Sequence, residues 1–187
     1  MRRESFLAIA ITVIATAAWA QTPATITVTS PTIKANETIP VDHTADGKNY
    51  SPALNWAGAP ANTKQFALVY DDPDVVFGGQ TFVHWVVYKI PGTAMGLPAD
   101  LPIDQVVLTG PGEIAGAIQG LSGFKRPFYR GPAPPAGKPH HYTWTVYALD
   151  AELPLEPGLN RNQLMEAIKG HIIGHGSLVA VYERKPK

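Results

Sequence analysis

Apolar positions along this chain recur mostly with period two, in short runs broken by glycine and proline. Ala24 to Ser30 alternates threonine with isoleucine and valine, the pattern of a half-buried strand. Gln65 to Tyr70 is a short apolar run of the kind found in a central strand. Thr81 to Ile90 is longer, rich in β-branched and aromatic residues, and stopped by Pro91-Gly92. Tyr142 to Leu149 and Ser177 to Tyr182 read as two further strands. Only Arg161 to Lys169 has a helical period. Asn160 is placed to cap it with Gln163 in a capping box, Leu164, Met165, Ile168 and Ile172 form its apolar stripe, and Gly170 ends it. These elements predict a mainly β protein, an antiparallel β-sandwich with few short helices, and no linker divides it.

The composition narrows the picture further. Glycine (17) and proline (18) punctuate the chain at short intervals, which suits a sandwich and not a helical bundle. Arg2-Arg3, an apolar stretch from Phe6 to Ala18 and the small-x-small step Ala18-Trp19-Ala20 predict a signal peptide over residues 1–20. Residues 21–187 then form a single domain in a periplasmic or secreted protein, with no stable membrane insertion after cleavage. Cleavage removes two arginines and one glutamate from 15 basic and 15 acidic residues, leaving a net charge of −1. That charge gives no field to attract nucleic acid or anionic lipid. The chain contains no cysteine, so neither disulfides nor thiol chemistry enter.

Two runs carry the candidate chemistry. Asp71-Asp72-Pro73-Asp74 precedes the segment Thr81-Phe82-Val83-His84-Trp85-Val86-Val87. Gly131-Pro132-Ala133-Pro134-Pro135-Ala136-Gly137-Lys138-Pro139 leads into His140-His141-Tyr142. Strand alternation puts Phe82, His84, Val86 and Tyr88 on one face, and His140, Tyr142 and Trp144 on one face with His141 on the other. The Asp72-Pro73 step holds Asp72 extended, and the prolines stiffen the loop. An aspartate beside a histidine raises the imidazole pKa, so His84 and His140 are each expected to donate to an anion, helped by the Tyr142 hydroxyl and the loop amides. Gly131 and Gly137 admit close backbone approach of a ligand, and Tyr129 is expected to wall the mouth.

Together the runs resemble the phosphatidylethanolamine-binding / Raf-kinase-inhibitor-like family in its bacterial, YbhB/YbcL-like branch. That family carries Asp-Pro-Asp, then Val-His-Trp-Val-Val, then Gly-Pro-x-Pro-Pro-x-Gly leading to His-x-Tyr, and all three blocks stand here in order. Ser51-Pro52-Ala53-Leu54-Asn55-Trp56 and Gly170-His171-Ile172-Ile173-Gly174 extend the likeness over residues 26 to 184. Val75-Val76 and Ala133 depart from the family pattern. The resemblance implies a pocket of Asp72, His84, Gly131, His140 and Tyr142 that binds small anions such as phosphate-type headgroups. The expected activity is therefore binding of a small anionic or phospho-ligand, without enzymatic turnover, cofactor or metal, and compatible with a homodimer. The alternatives are a hydrolase using Asp72, His84 and His140 as an acid–base set, a metal site on the same three residues, and an inhibitor of a partner protease or kinase. Against the hydrolase stands the lack of a Gly-x-Ser-x-Gly elbow.

Overall fold

The computed structural model describes residues 22–110 and 112–186. The expected signal peptide lies outside the described residues. Among the described residues nine strands run in the order β1 (Ala24–Thr25), β2 (Thr27–Thr29), β3 (Leu54–Ala57), β4 (Gln65–Phe77), β5 (Gln80–Pro91), β6 (Gly96–Leu97), β7 (Ile118–Gly120), β8 (His140–Leu149) and β9 (Ile172–Tyr182). The helix α1 (Arg161–Ala167) precedes β9. A six-stranded sheet has the order β1-β9-β8-β4-β5-β7, and a three-stranded sheet has the order β2-β3-β6. All pairings are antiparallel except β1 with β9, which makes the large sheet mixed.

Both faces of the large sheet are covered. On one face Leu68, Tyr70, Trp85, Trp144 and Val146 pack against Val28, Leu54 and Trp56 of the small sheet. On the other, Ala67, Val69, Val86 and Tyr88 pack against Leu164 and Ile168 from the helical layer. This explains why Phe66 to Tyr70 and Trp85 to Tyr88 read as unbroken apolar runs: a strand buried on both faces has no polar side. Fully burying side chains of this size contributes roughly 1.5–3 kcal/mol each, so these two strands anchor the domain.

The helix starts as the sequence predicts. Asn160 Oδ1 accepts from the Asn162 and Gln163 amides (3.0 and 3.1 Å), and Gln163 Oε1 accepts from the Asn160 amide (3.0 Å). It ends two residues early, with Gly170 at φ 83° completing the turn. Ile172 therefore opens β9 and is not part of the helical stripe. The expected first strand is split at Ile26, where the chain leaves β9 to join the small sheet. Gly176 permits this crossing, since a Cβ there would meet the Ile26 carbonyl oxygen at 1.7 Å.

Candidate functional site

The site lies where β4, β5 and β8 end together. Tyr70 pairs with Trp144 and Asp71 with Thr143 across β4 and β8. Across β4 and β5, Tyr70 pairs with Trp85 but Asp71 pairs with Val83, so His84 is an extra residue in β5. This bulge resets the alternation. His84 and Trp85 both turn toward the face of Tyr70, while Val86 and Tyr88 turn to the helical face. The expectation that His84 shares a face with Val86 and Tyr88 is thus corrected, although Phe82 and His84 do lie together (5.4 Å, edge to face).

Asp72, His84, His140 and Tyr142 converge, and all four are buried. Asp72 Oδ2 lies 2.8 Å from His140 Nδ1, and Asp72 Oδ1 accepts from the Asp74 amide (2.9 Å). Asp74 reaches the other side of β8, where its Oδ2 accepts from the His141 amide (2.6 Å) and lies 2.8 Å from His141 Nδ1. That backbone hydrogen bond, with the imidazole behind it, holds the Asp74 carboxyl below its usual range. The adjacent histidines therefore meet two different aspartates on opposite faces. His140 is buried with Asp72, and His141 is exposed with Asp74. The pairing clasps the 72–74 segment to the start of β8.

His84 departs from expectation chemically. Its Nδ1 lies 2.8 Å from the Arg130 carbonyl oxygen, which can only accept, so Nδ1 carries the hydrogen. Burial pushes the His84 pKa down to about 4 despite that hydrogen bond and the Asp72 charge. The imidazole is therefore neutral near pH 7, and Nε2 presents a lone pair and not an N–H. The desolvation of a nearly enclosed ring outweighs the carboxylate nearby. Burial, with the Asp72 carboxylate second, also raises the Tyr142 phenol, which stays protonated.

Two expected pocket residues stand behind the site. The Tyr129 ring stacks on Tyr70 (5.5 Å, 7°), which stacks in turn on Trp144 (4.3 Å, 4°). The Tyr129 hydroxyl donates to the His43 carbonyl (2.7 Å). Tyr129 is thus a buried support and not a wall of the mouth. The Gly131 amide donates to Asn49 Oδ1 (2.8 Å), and a Cβ at Gly131 would meet the His43 carbonyl oxygen at 2.2 Å. What approaches Gly131 closely is the chain's own His43–Thr44 backbone. Gly137 sits at φ 90° in open space and serves the turn.

Sequence reasoning missed the rim. Phe124 places its ring edge-on to both Phe82 (4.9 Å) and His84 (5.5 Å), and the Arg130 guanidinium lies over Phe124 at 5.0 Å. The Arg130 charge is close enough to His84 to disfavour its protonation. No spacing rule links Phe124 or Arg130 to residues forty positions earlier. Their only sequence signal is the Phe-Lys-Arg-Pro-Phe-Tyr-Arg run before the proline loop. Among the described residues, no group of three or more His, Asp or Glu is arranged to hold a metal ion.

Residues 29–183 match the family model described as phosphatidylethanolamine-binding protein. The chain belongs to this family. It is similar to a UPF0098 protein of Methanothermobacter thermautotrophicus, 40% identical over 78% of this chain and 91% of that one. It is also similar to the UPF0098 protein YbcL of Escherichia coli, 34% identical over 93% of this chain and 96% of the relative. The crystal structure of YbcL matches with a TM-score of 0.73 at 33% identity, covering 86% of this chain and 99% of that one. A phosphatidylethanolamine-binding protein homologue from Chlamydia trachomatis matches with a TM-score of 0.74 at 30% identity, over 87% and 99% of the two chains.

Proposed function

We propose that this protein is an exported binding protein that holds a small phosphate-type anion in the slot between Asp72, His84, His140 and Tyr142. The observation that carries the reading is the hydrogen-bonding state of the two buried imidazoles. His84 is neutral, with Nδ1–H committed to the Arg130 carbonyl and Nε2 left as an acceptor. His140 is held at Nδ1 by Asp72 Oδ2, which fixes the orientation of its ring beside the slot. Arg130 adds a permanent positive charge at the rim. An anion that brings its own hydrogen, such as a monoprotonated phosphate or phosphomonoester, satisfies the His84 acceptor and the Arg130 charge at once. The burial of all four residues suits a small headgroup that is stripped of water on entry.

Protonation of the ligand supplies the hydrogen that His84 Nε2 accepts and so strengthens this arrangement. Phosphoethanolamine, whose phosphate still carries a hydrogen in part near pH 6 and essentially never near pH 8, should therefore bind more tightly at the lower pH, in calorimetry at constant ionic strength. Equal affinity at the two pH values would remove the proton-sharing account. A hydrolytic role is the second reading, favoured by the 2.8 Å carboxylate–imidazole pair of Asp72 and His140, which is the geometry of an oriented general base. Turnover of simple phosphoesters that disappears in His140→Ala would establish it, and binding without turnover would exclude it.

A further inference from the structure

A cleft of about 400 Å³ opens at the edge of β5, beside the slot, with Phe82 between its lining and His84 (5.4 Å). Its existence follows from the sheet. β7 pairs only with Val86 to Tyr88, so residues 80–83 of β5 have no strand beyond them. A turn covers part of that edge, with the Gly123 amide donating to the Val83 carbonyl (2.8 Å). Asn162 Nδ2 donates to Gln80 Oε1 (2.7 Å) and ties the start of α1 to the β4–β5 hairpin across the cleft. The volume lies in the range of small-molecule sites, roughly 300–1,000 Å³.

The lining has two chemical halves. Phe77, Phe82, Val83 and Leu121 form an apolar wall. Phe77 is 84% exposed, a large ring left in water at the hairpin tip. Lys125 and Arg161 bring two positive charges, and neither side chain forms an ion pair among the described residues. No aspartate or glutamate lines the cleft. Asp71 lies behind Thr81, takes that hydroxyl's hydrogen bond (2.5 Å), and attracts Arg161 without pairing with it. Unpaired cations beside a low-dielectric wall concentrate positive potential, and a guanidinium suits a planar oxyanion.

We propose that this cleft is a second binding site, with charged residues other than those of the slot, for a small amphipathic anion: a carboxylate or sulfonate head on an aromatic or aliphatic body. The head meets Arg161 and Lys125, and the body covers Phe77, Phe82 and Leu121. Phe82 borders both sites, but the charged groups used here, Arg161 and Lys125, are not those of the slot, so the inference does not rest on the function proposed above.

Titration of the purified protein with 1-anilinonaphthalene-8-sulfonate tests it by fluorescence and by amide chemical shifts of isotope-labelled protein. Saturable enhancement is expected, with shifts concentrated at residues 77–83, 121–125 and 160–162. Decanoate should displace the dye, and inorganic phosphate should not. Loss of one charge-assisted contact in Arg161→Gln or Lys125→Gln should weaken binding roughly tenfold, and uncharged decanol should bind weaker than decanoate by a similar factor. Phe77→Ser, at an exposed tip whose loss leaves the core intact, should weaken binding as well. The proposal is overturned by absence of saturable binding at about 1 mM dye. It is equally overturned by Arg161→Gln and Lys125→Gln binding as wild type does, or by shifts centred on Asp72 and His140.

Discussion

The buried, neutral His84 makes a quantitative demand on how stability responds to acid. An unfolded histidine titrates at 6.5, and in the folded protein burial lowers this to about 4. The sign follows from proton counting. Between these two values the unfolded chain binds a proton that the native state refuses, so stability is present above pH 6.5 and is lost as pH falls toward 4. The full gap amounts to about 3 kcal/mol, of which about 2 kcal/mol falls between pH 7 and pH 4.5. The perturbation that isolates it is His84→Asn, whose amide can still donate to the Arg130 carbonyl but cannot titrate. Urea unfolding of both proteins at pH 7 and 4.5 gives the difference directly. Wild type should lose about 2 kcal/mol more than the variant over that interval. Parallel losses, or an NMR titration of the His84 ring with a midpoint above 6, would refute the assignment of a neutral acceptor at Nε2.

Three further outcomes follow from the same geometry. Gly131→Ala drives a methyl group into the His43 carbonyl, so urea unfolding should register a loss of about 3 kcal/mol, the upper end of overpacking costs. Tyr129→Phe removes one hydrogen bond beneath the site; it should cost about 1 kcal/mol in the same assay and leave phosphate affinity unchanged in calorimetry. On the proposed export, N-terminal sequencing of the mature protein should begin at Gln21, and a chain retaining Phe6 to Ala18 would mean an uncleaved anchor.

How much of this was legible in the chain depends on the kind of information each feature needs. The cap of α1 is local, and Asn160 with Gln163 announces it without tertiary help. The opposite facing of His140 and His141 is also local, because period two survives wherever a strand stays regular, as β8 does. The face of His84 was read correctly relative to Phe82 and wrongly relative to Val86, because a bulge depends on the partner strand's register and leaves no mark in the sequence of β5 itself. The strands Leu54–Ala57, Gly96–Leu97 and Ile118–Gly120 are too short to establish a period. The charge state of His84 was inferred from its neighbour Asp72, but enclosure of the ring is a three-dimensional property and outweighs that neighbour. Gly131 was recognised as a close-approach position, while its partner, the His43–Thr44 backbone, lies far away in sequence.

The central claim is that the buried face of β8 forms the anion site. Calorimetric titration with inorganic phosphate at pH 6 and constant ionic strength, on wild type, His140→Ala and His141→Ala, tests it most directly. Each variant must first keep the wild-type melting temperature at pH 6. His140→Ala removes the imidazole held by Asp72 and should weaken binding roughly tenfold or more. His141→Ala removes only the exposed partner of Asp74 on the opposite face and should change affinity by less than about threefold. Equal losses in the two folded variants, or wild type that takes up no phosphate at all, would contradict the account.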